Sequence, residues 1–224
     1  MIIAIDGPAG AGKSTIAKEI AQKLGWVYID TGAMYRAVAL CILSQGIDLA
    51  DTNTITAALA NIQIKISHIN KNQHIFLNKE DVTNKIRTSE ISNAASTIAA
   101  ISAVRDNLVQ LQRTLAHTTN VVMDGRDIGS VVFPNADLKI FLTASLAERT
   151  NRRFKEQTEN GKIVEWNKIF SEIELRDKAD CSRVDSPLIQ AEDAILVDTS
   201  NLTADMVVDH ILQLAKDKVG VQFD

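Results

Sequence analysis

A glycine-rich segment near the amino terminus constrains the fold more than any other part of the sequence. The apolar run 2–6 is followed by Gly7-Pro-Ala-Gly-Ala-Gly12-Lys13-Ser14, which leads into a helical pattern of apolar residues. Glycines in such a turn let backbone N–H groups face an anion, and the start of the next helix adds its dipole. The pattern G-x-x-x-x-G-K-[ST] between a strand and a helix therefore predicts a phosphate-binding loop.

We expect this loop to bind the phosphates of ATP. Lys13 would reach the β- and γ-phosphates, and the Ser14 hydroxyl would face Mg²⁺. A later apolar strand pattern ends in Asp124, an acid suited to orienting Mg²⁺ through a water molecule, although an aspartate that caps the next turn is an open alternative. The expected ATP-binding residues are Gly7, Pro8, Ala9, Gly10, Ala11, Gly12, Lys13, Ser14 and Thr15.

Apolar runs of strand length alternate with helical patterns along the chain. This alternation predicts an α/β fold, a doubly wound five-stranded parallel sheet flanked by helices. Residues 64–77 break the pattern, because they alternate around Asn70-Lys71-Asn72 and so predict an inserted β-hairpin. The predicted strands are 2–6, 26–30, 120–124, 138–142 and 194–198, and the predicted helices are 14–24, 32–43, 55–62, 86–114 (long or broken), 145–158, 166–180 and 203–218.

The charge distribution favours a small anionic ligand over a nucleic acid. The chain of 224 residues carries a net charge of −4, so no global basic field is present. The last third nevertheless contains Arg149, Arg152, Arg153, Arg176 and Arg183. Such a local cluster suits a phosphate group. No apolar run approaches the ~18 residues that span a membrane, and the first run is too short for a secretory signal, so we expect a cytoplasmic protein with no membrane partner.

A GTP-hydrolysing switch is the competing class of function. Asn78-Lys79-Glu80-Asp81 matches the guanine-reading pattern N-K-x-D, but no D-x-x-G tetrapeptide occurs in residues 15–77. We interpret the match as a polar turn at a strand end. A phosphate acceptor needs positive charge and alignment rather than a general base, and the arginines supply the charge. Another small-molecule kinase, acting on a different nucleotide or a shikimate-like hydroxyl acceptor, is the alternative among enzymes.

Six sequence blocks occur in a fixed order: AIDGPAGAGKST, DTGAMYRAVAL, IRTSEISNAAS, MDGRDIGSVVFP, KIFLTAS and RDKADCSRVDSPLIQAEDA. Together they resemble the bacterial-type cytidylate kinases along nearly the whole chain. Only the first block is generic, whereas the joint occurrence of DTGAMYR, DGRDIGSVVFP and R-D-x-x-D-x-x-R-x-x-x-P-L is specific. The resemblance implies Mg²⁺-dependent transfer of the γ-phosphoryl group of ATP to CMP or dCMP, by a monomer.

The resemblance also implies roles for individual residues. A carboxylate at Asp127 would accept from the N4 amino group of cytosine, and Arg105 would donate to its N3/O2 edge. The acceptor phosphate would be held by Thr31, Arg36, Arg126 and Arg183, the base by Ser96, Arg105 and Asp127, and the ribose by Arg176 and Asp180. The expected catalytic residues are Lys13, Arg126, Arg149, Arg153 and Arg183.

Several of these residues have a structural alternative. Arg36 could be a solvated edge residue, and Ser96 a small packing residue. Arg105 with Asp106 could form a surface pair, and Arg176 with Asp180 an ordinary i,i+4 helix pair. A solvated charged face is the alternative for Arg149, Arg152 and Arg153. Relatives also differ at three positions, since some carry further arginines in place of Ala179 and Cys181 and many carry serine in place of Thr31.

The expected domain organisation follows the same resemblance. Residues 1–30, 114–148 and 181–224 would form the core that contains the phosphate-binding loop. Residues 31–113 would form a monophosphate-binding region with a β insert at about 62–84, and residues 149–180 a lid. Closure of such a lid would exclude water from the transferring phosphoryl group.

Overall fold

Strands and helices follow the order expected from the sequence. The computed structural model describes residues 1–69 and 72–220. The strands are β1 (Ile2–Asp6), β2 (Val27–Asp30), β3 (Ile64–Ile69), β4 (Asn72–Leu77), β5 (Glu80–Asp81), β6 (Val121–Gly125), β7 (Leu138–Thr143) and β8 (Ile195–Asp198). The α-helices are α1 (Lys13–Leu24), α2 (Thr31–Ser44), α3 (Thr52–Ala58), α4 (Ser89–Ile98), α5 (Ser102–Leu115), α6 (Leu146–Glu159), α7 (Trp166–Cys181) and α8 (Ala204–Val219). The chain divides into two units, Met1–Tyr28 with Thr119–Asp224, and Ile29–Thr118.

A five-stranded sheet with the order β2-β6-β1-β7-β8 organises the first unit. Strand β1 pairs in parallel with β6 and β7, and β7 pairs in parallel with β8. The predicted α/β fold with a five-stranded parallel sheet and flanking helices is therefore confirmed. The strand order reverses at β1, and ligands of such folds bind beyond the carboxyl ends of the strands at this switch point. The phosphate-binding loop follows β1 directly.

The core of the first unit is made by apolar faces of the sheet and of two helices. Ile5 in β1, Ile20 in α1 and Ile211 in α8 are all fully buried in one cluster. The buried residues of α1 include Ile16, Ala17, Ile20 and Ala21, which share one face at helical spacing. This packing fixes the start of α1, and with it the position of the loop.

The second unit combines helices with a three-stranded antiparallel sheet of order β3-β4-β5. Strands β3 and β4 confirm the predicted hairpin, although residues 70 and 71 of its expected turn lie outside the described residues. The short strand β5 was not predicted, because two residues carry no periodic signal. The predicted helix 86–114 is broken, since α4 ends at Ile98 and α5 begins at Ser102. The backbone turns between them, where Ile101 N–H bonds to Ile98 O.

Candidate functional site

The phosphate-binding loop depends on glycines with positive φ angles. Gly7, Gly10 and Gly12 have φ values of +149°, +76° and +91°. Gly12 caps α1 in the left-handed region, and no side chain caps this helix. Because residues with a Cβ rarely adopt such angles, the loop conformation requires glycine at these positions. The first backbone N–H groups of α1 are therefore left for an anion.

Gly7 should be the least replaceable glycine of the loop. A Cβ at this position would lie 1.9 Å from the backbone oxygen of Leu142, so the two strands beneath the loop would have to separate. We expect Gly7→Ala to lower the free energy of unfolding by about 2–3 kcal/mol and to lower affinity for ATP. Thermal unfolding and ATP titration would measure the two effects.

Gly25 provides a matched control for this substitution. Its φ is also positive, at +66°, but a Cβ there would meet no atom within 4 Å. Gly25→Ala should therefore cost only the left-handed conformation, about 1–2 kcal/mol, and leave ATP affinity unchanged. Equal losses of ATP affinity in the two variants would contradict the proposed role of the loop.

Lys13 is a buried cation at the start of α1. Its side chain is 6% exposed, and Nζ donates to the backbone oxygen of Pro8 over 2.7 Å. Burial lowers the pKa of Lys13 well below its usual range, and the charge of Arg126 lowers it further. A cation held in such a position is stabilised by a nearby polyanion, as the phosphates of ATP would supply.

Ser14 and Asp124 meet although 110 residues separate them. Ser14 Oγ donates to Asp124 Oδ2 over 2.9 Å, and the Tyr28 hydroxyl donates to Asp124 Oδ1 over 2.8 Å. Asp124 is 4% exposed. The contact of Tyr28 was not predicted, since its strand pattern shows only an apolar run.

The oxygen donors at this position fit Mg²⁺. Among the described residues, no three His, Cys, Asp or Glu side chains gather in a group that could hold a metal ion. Mg²⁺ is usually bound by one or two protein oxygens together with substrate phosphates and water. The Ser14 hydroxyl and the Asp124 carboxylate provide such a pair of hard oxygen donors beside the loop.

Two arginines share one buried carboxylate. Arg126 Nε donates to Asp180 Oδ2 over 2.8 Å, and Arg183 pairs with the other oxygen of the same carboxylate. Burial would raise the pKa of Asp180, but the charges of Arg126 and Arg183 outweigh it and hold the pKa below its usual value. This trio, the arginine–aspartate cluster, leaves one net positive charge near the carboxyl ends of the strands.

Asp127 and Arg176 belong to the same unit as this cluster. Asp127 is 5% exposed and precedes a π-helical turn, Ile128–Val132, that the sequence did not indicate. Arg176 lies on α7, and its positive charge further lowers the pKa values of Lys13 and Asp180. Asp180 therefore pairs with Arg126 and Arg183. It is not limited to the i,i+4 pair with Arg176 that sequence spacing left open.

Arg149 is the arginine of α6 that is buried between the phosphate-binding loop and α7. Arg149 is 7% exposed, and its Nη1 contacts Ala9 O at 3.0 Å and Asp177 Oδ2 at 2.5 Å. Asp177 Oδ1 also accepts from the loop N–H of Ala9 over 3.4 Å. The acidic group of α7 thus contacts the loop as well as Arg149, a link that sequence spacing did not predict.

Arg152, and not Arg153, is the second arginine of α6 in contact with the loop. Arg152 Nη1 donates to Ala11 O over 3.4 Å and to Thr199 Oγ1 over 2.9 Å. Arg153 Nη1 contacts Glu156 Oε2 at 3.3 Å, and its side chain is 42% exposed. The catalytic role expected for Arg153 remains a prediction, and Arg152 joins it as a candidate.

In the second unit, Thr31 and Arg36 lie at the start of α2. Thr31 is 3% exposed. Arg36 Nη2 donates to Asp30 Oδ2 over 2.8 Å, while Asp30 Oδ1 accepts from Ala33 N–H and so caps the helix. Gln73 of β4 accepts from Asp30 N–H over 2.8 Å. These contacts fix the segment that carries Thr31 and Arg36, two of the four residues expected to bind the acceptor phosphate. The contribution of Gln73 was not predicted.

Arg105 is buried and does not form the surface pair that sequence left open. It is 3% exposed, its Nη1 donates to Ala99 O over 2.9 Å, and its guanidinium lies 5.6 Å from the ring centroid of Tyr35. Such an arginine is held by packing on both the backbone and an aromatic face. Ser96 is half-buried on α4, and its role remains a prediction.

The N-K-x-D match forms a turn, as the sequence interpretation expected. Asn78 and Lys79 have φ values of +47° and +75°, between β4 and β5. The side-chain oxygen of Asn78 accepts from Gln63 N–H over 2.8 Å, so Asn78 is engaged in the turn itself.

No helix among residues 1–69 and 72–220 is both long and apolar enough to cross a membrane.

Comparison with known proteins identifies the family. A cytidylate kinase from Exiguobacterium sibiricum is 49% identical over 214 residues, which cover 96% of each chain. A solved structure of an uncharacterised protein from Eubacterium ventriosum has a TM-score of 0.53 at 12% identity, covering 96% of this chain and 97% of that one. A gluconokinase from Sinorhizobium meliloti has a TM-score of 0.50 at 15% identity, covering 97% and 93%. The sequence model of the family described as cytidylate kinase matches residues 3–217, and the chain belongs to that family.

Proposed function

We propose that this protein transfers the γ-phosphoryl group of ATP to CMP or dCMP and releases ADP with CDP or dCDP. The observation that carries the proposal is a phosphate-binding loop that contacts the buried Arg149, together with the half-buried Arg126, in a chain of the cytidylate kinase family. Transfer between two phosphates brings two polyanions together, so positive charge and alignment are the main requirements. Lys13 and the arginine–aspartate cluster meet the first requirement.

The donor side consists of the loop and its neighbours. Backbone N–H groups of residues 7–15 and the Lys13 ammonium would bind the β- and γ-phosphates of ATP. The Ser14 hydroxyl and, through water, Asp124 would hold Mg²⁺, which supplies positive charge to the transferring phosphoryl group. Arg149, with Arg152 or Arg153, would add charge from the lid, for which we propose residues 149–180.

The acceptor side consists of the residues to which the family resemblance gives that role. Thr31, Arg36, Arg126 and Arg183 would bind the phosphate of CMP, because guanidinium groups match phosphate oxygens in pairs. An oxygen of that phosphate would attack the γ-phosphorus in line with the departing ADP. The acceptor phosphate is ionised near neutral pH, so no residue has to remove a proton from it. Arg176 and Asp180 would contact the ribose, and Ser96 with Arg105 would contact the base from the 31–113 region.

Asp127 should select cytosine over uracil. The N4 amino group of cytosine can donate to a carboxylate, whereas O4 of uracil would oppose it lone pair to lone pair. We expect Asp127→Asn to reduce the CMP:UMP ratio of kcat/KM by about 1–3 kcal/mol, or roughly 5- to 150-fold. Steady-state kinetics with each nucleotide would measure this ratio.

Asp193→Asn is a suitable control, because it removes a carboxylate that pairs with Lys139 and has no expected role at the base. It should leave the CMP:UMP ratio unchanged. An unchanged ratio in Asp127→Asn would remove Asp127 from the base-binding set without affecting the proposed reaction.

An acceptor panel tests the function directly. ADP release from Mg·ATP would be followed with CMP, dCMP, UMP, AMP, GMP or shikimate added singly, and without acceptor. Fast turnover with CMP and dCMP, slow turnover with UMP, and almost none without acceptor is expected. Fast turnover with another nucleotide or with shikimate would indicate a different kinase, and acceptor-independent hydrolysis would indicate a nucleotide switch.

A monomeric state and a cytoplasmic location remain predictions.

A further inference from the structure

Asp6 forms a buried connection that the proposed mechanism does not use. It is the last residue of β1, directly before the phosphate-binding loop, and is 6% exposed. Its Oδ1 accepts from Ile128 N–H over 2.8 Å, and its Oδ2 accepts from Gly129 N–H over 2.7 Å. Both oxygens of one carboxylate are therefore bound to consecutive backbone groups 122 and 123 residues away.

These two hydrogen bonds fix a segment that carries two expected acceptor residues. The register of the sheet places Asp6 beside Gly125, the last residue of β6. The chain then passes through Arg126 and Asp127 and reaches the two N–H groups that Asp6 binds. The segment is thus held by strand pairing on one side and by a carboxylate on the other, with only two residues between.

The turn also packs closely against the side chain of Lys139. A Cβ at Gly129 would lie 3.4 Å from Asp6 Oδ2, 3.1 Å from Lys139 Cδ and 3.2 Å from Lys139 Cγ. A methyl group at Gly129 would therefore press on the Lys139 side chain and would touch the carboxylate at van der Waals distance. Small changes at Asp6 or Gly129 should therefore move the segment that precedes the turn.

Keeping a carboxylate here is costly for the fold. Burial raises the pKa of Asp6 to about 6, against the opposing effect of the two backbone hydrogen bonds. Buried charges that disfavour folding tend to be retained where they specify a geometry or serve a function. An apolar side chain, as at Ile3 and Ile5 of the same strand, would avoid this cost but would leave the Ile128 and Gly129 N–H groups without an acceptor.

We propose that Asp6 is a positioning residue that holds Arg126 and Asp127 in the orientation required for binding the acceptor nucleotide. The inference rests on the proposed roles of those two residues in holding the phosphate and the base. In this role Asp6 would contact neither nucleotide. Asp6 ends the strand that leads into the phosphate-binding loop, and its hydrogen bonds tie that strand to the segment that would bind the acceptor. Both substrates would therefore be aligned on one rigid strand.

The test is Asp6→Asn, which preserves shape but presents an NH₂ group to one of the two backbone N–H groups. We expect KM for CMP to rise about tenfold, the effect of one lost hydrogen bond to a charged group, and the CMP:UMP ratio to fall. KM for ATP should change much less, because the loop keeps its own glycines and Lys13. Thermal unfolding would be measured on the same preparation.

Ile5→Val is the matched control for loss of stability. It shortens a fully buried neighbour in the same strand and should lower Tm with no change in either KM. A lower Tm in Asp6→Asn with KM values and selectivity like those of Ile5→Val would overturn the proposal. If Asp6→Asn does not fold, Gly129→Ala carries the test, since its methyl group would press on the Lys139 side chain beside the same turn while keeping the carboxylate. It should reproduce the rise in KM for CMP, and an unchanged KM would overturn the proposal.

Variants at the acceptor residues separate this inference from the function on which it rests. Arg126→Lys should raise KM for CMP, because an ammonium group cannot replace a guanidinium fork. If Arg126→Lys and Asp127→Asn behave as expected but Asp6→Asn and Gly129→Ala do not, only the positioning role fails. If the first two variants have no effect on acceptor kinetics, the proposed acceptor site itself is wrong.

Discussion

Lys13→Met is expected to lower kcat about a hundredfold to a thousandfold while leaving the protein at least as stable as the parent. The loss of turnover follows because the ammonium group would no longer neutralise charge on the transferring phosphoryl group. The stability follows from burial, since Lys13 is 6% exposed and its pKa is lowered by burial and by Arg126. Methionine keeps the apolar stem and removes a charge that the fold disfavours.

Steady-state kinetics and thermal unfolding of the same sample would test both parts of this expectation. Lys23→Met is the control, because Lys23 lies on the same helix and pairs with Asp209 at the surface. It should leave kcat and Tm essentially unchanged. A Lys13→Met variant that loses activity only because it loses stability would contradict the expected separation of the two properties.

Asp180→Ala is expected to cause the largest loss of stability of the variants considered. Its carboxylate is 1% exposed and is shared by Arg126 and Arg183. Removing it leaves two guanidinium groups close together without the charge that balances them. We expect the free energy of unfolding to fall by about 3–5 kcal/mol, which corresponds to a decrease in Tm of roughly 6–20 °C for a chain of this size.

The same change should also weaken acceptor binding, because Arg126 and Arg183 would no longer be aligned. Asp209→Ala removes an exposed carboxylate that pairs with Lys23 and should change neither property, as expected of surface ion pairs. Added CMP should recover part of the lost Tm in Asp180→Ala, because its phosphate would supply negative charge to the two arginines. A variant with parental Tm would show that the arginine–aspartate cluster contributes little to stability.

The fold was predictable because its strands are short, apolar and separated by helical patterns. The run 2–6 matches β1, and the glycines that follow it can be recognised from spacing alone. Local signals were less informative elsewhere. The break between α4 and α5 lies in a stretch without glycine or proline, so the sequence left one long or a broken helix open. The π-helical turn 128–132 was not predicted, and it is held by Asp6, more than 120 residues away.

The residue types proposed for the site come from the sequence, whereas the contacts among them could not be predicted from it. Arg126, Asp180 and Arg183 are close together as the family motif implies, but the sharing of one carboxylate cannot be read from spacing. Arg152 differs from Arg153 only in the direction it faces from α6, which depends on the packing of that helix against the loop. Tyr28 and Gln73 form hydrogen bonds to residues distant in the sequence, Asp124 and Asp30, and such contacts leave no periodic pattern.

The central claim is that the γ-phosphoryl group of ATP moves onto CMP. Incubation of the protein with Mg²⁺, CMP and ATP labelled in the γ-phosphate, followed by separation of the nucleotides, tests this claim most directly. We predict that the label appears in CDP in an amount equal to the ADP formed, and that Lys13→Met suppresses both products together. Label recovered as inorganic phosphate, or ADP formed equally well without CMP, would contradict the claim.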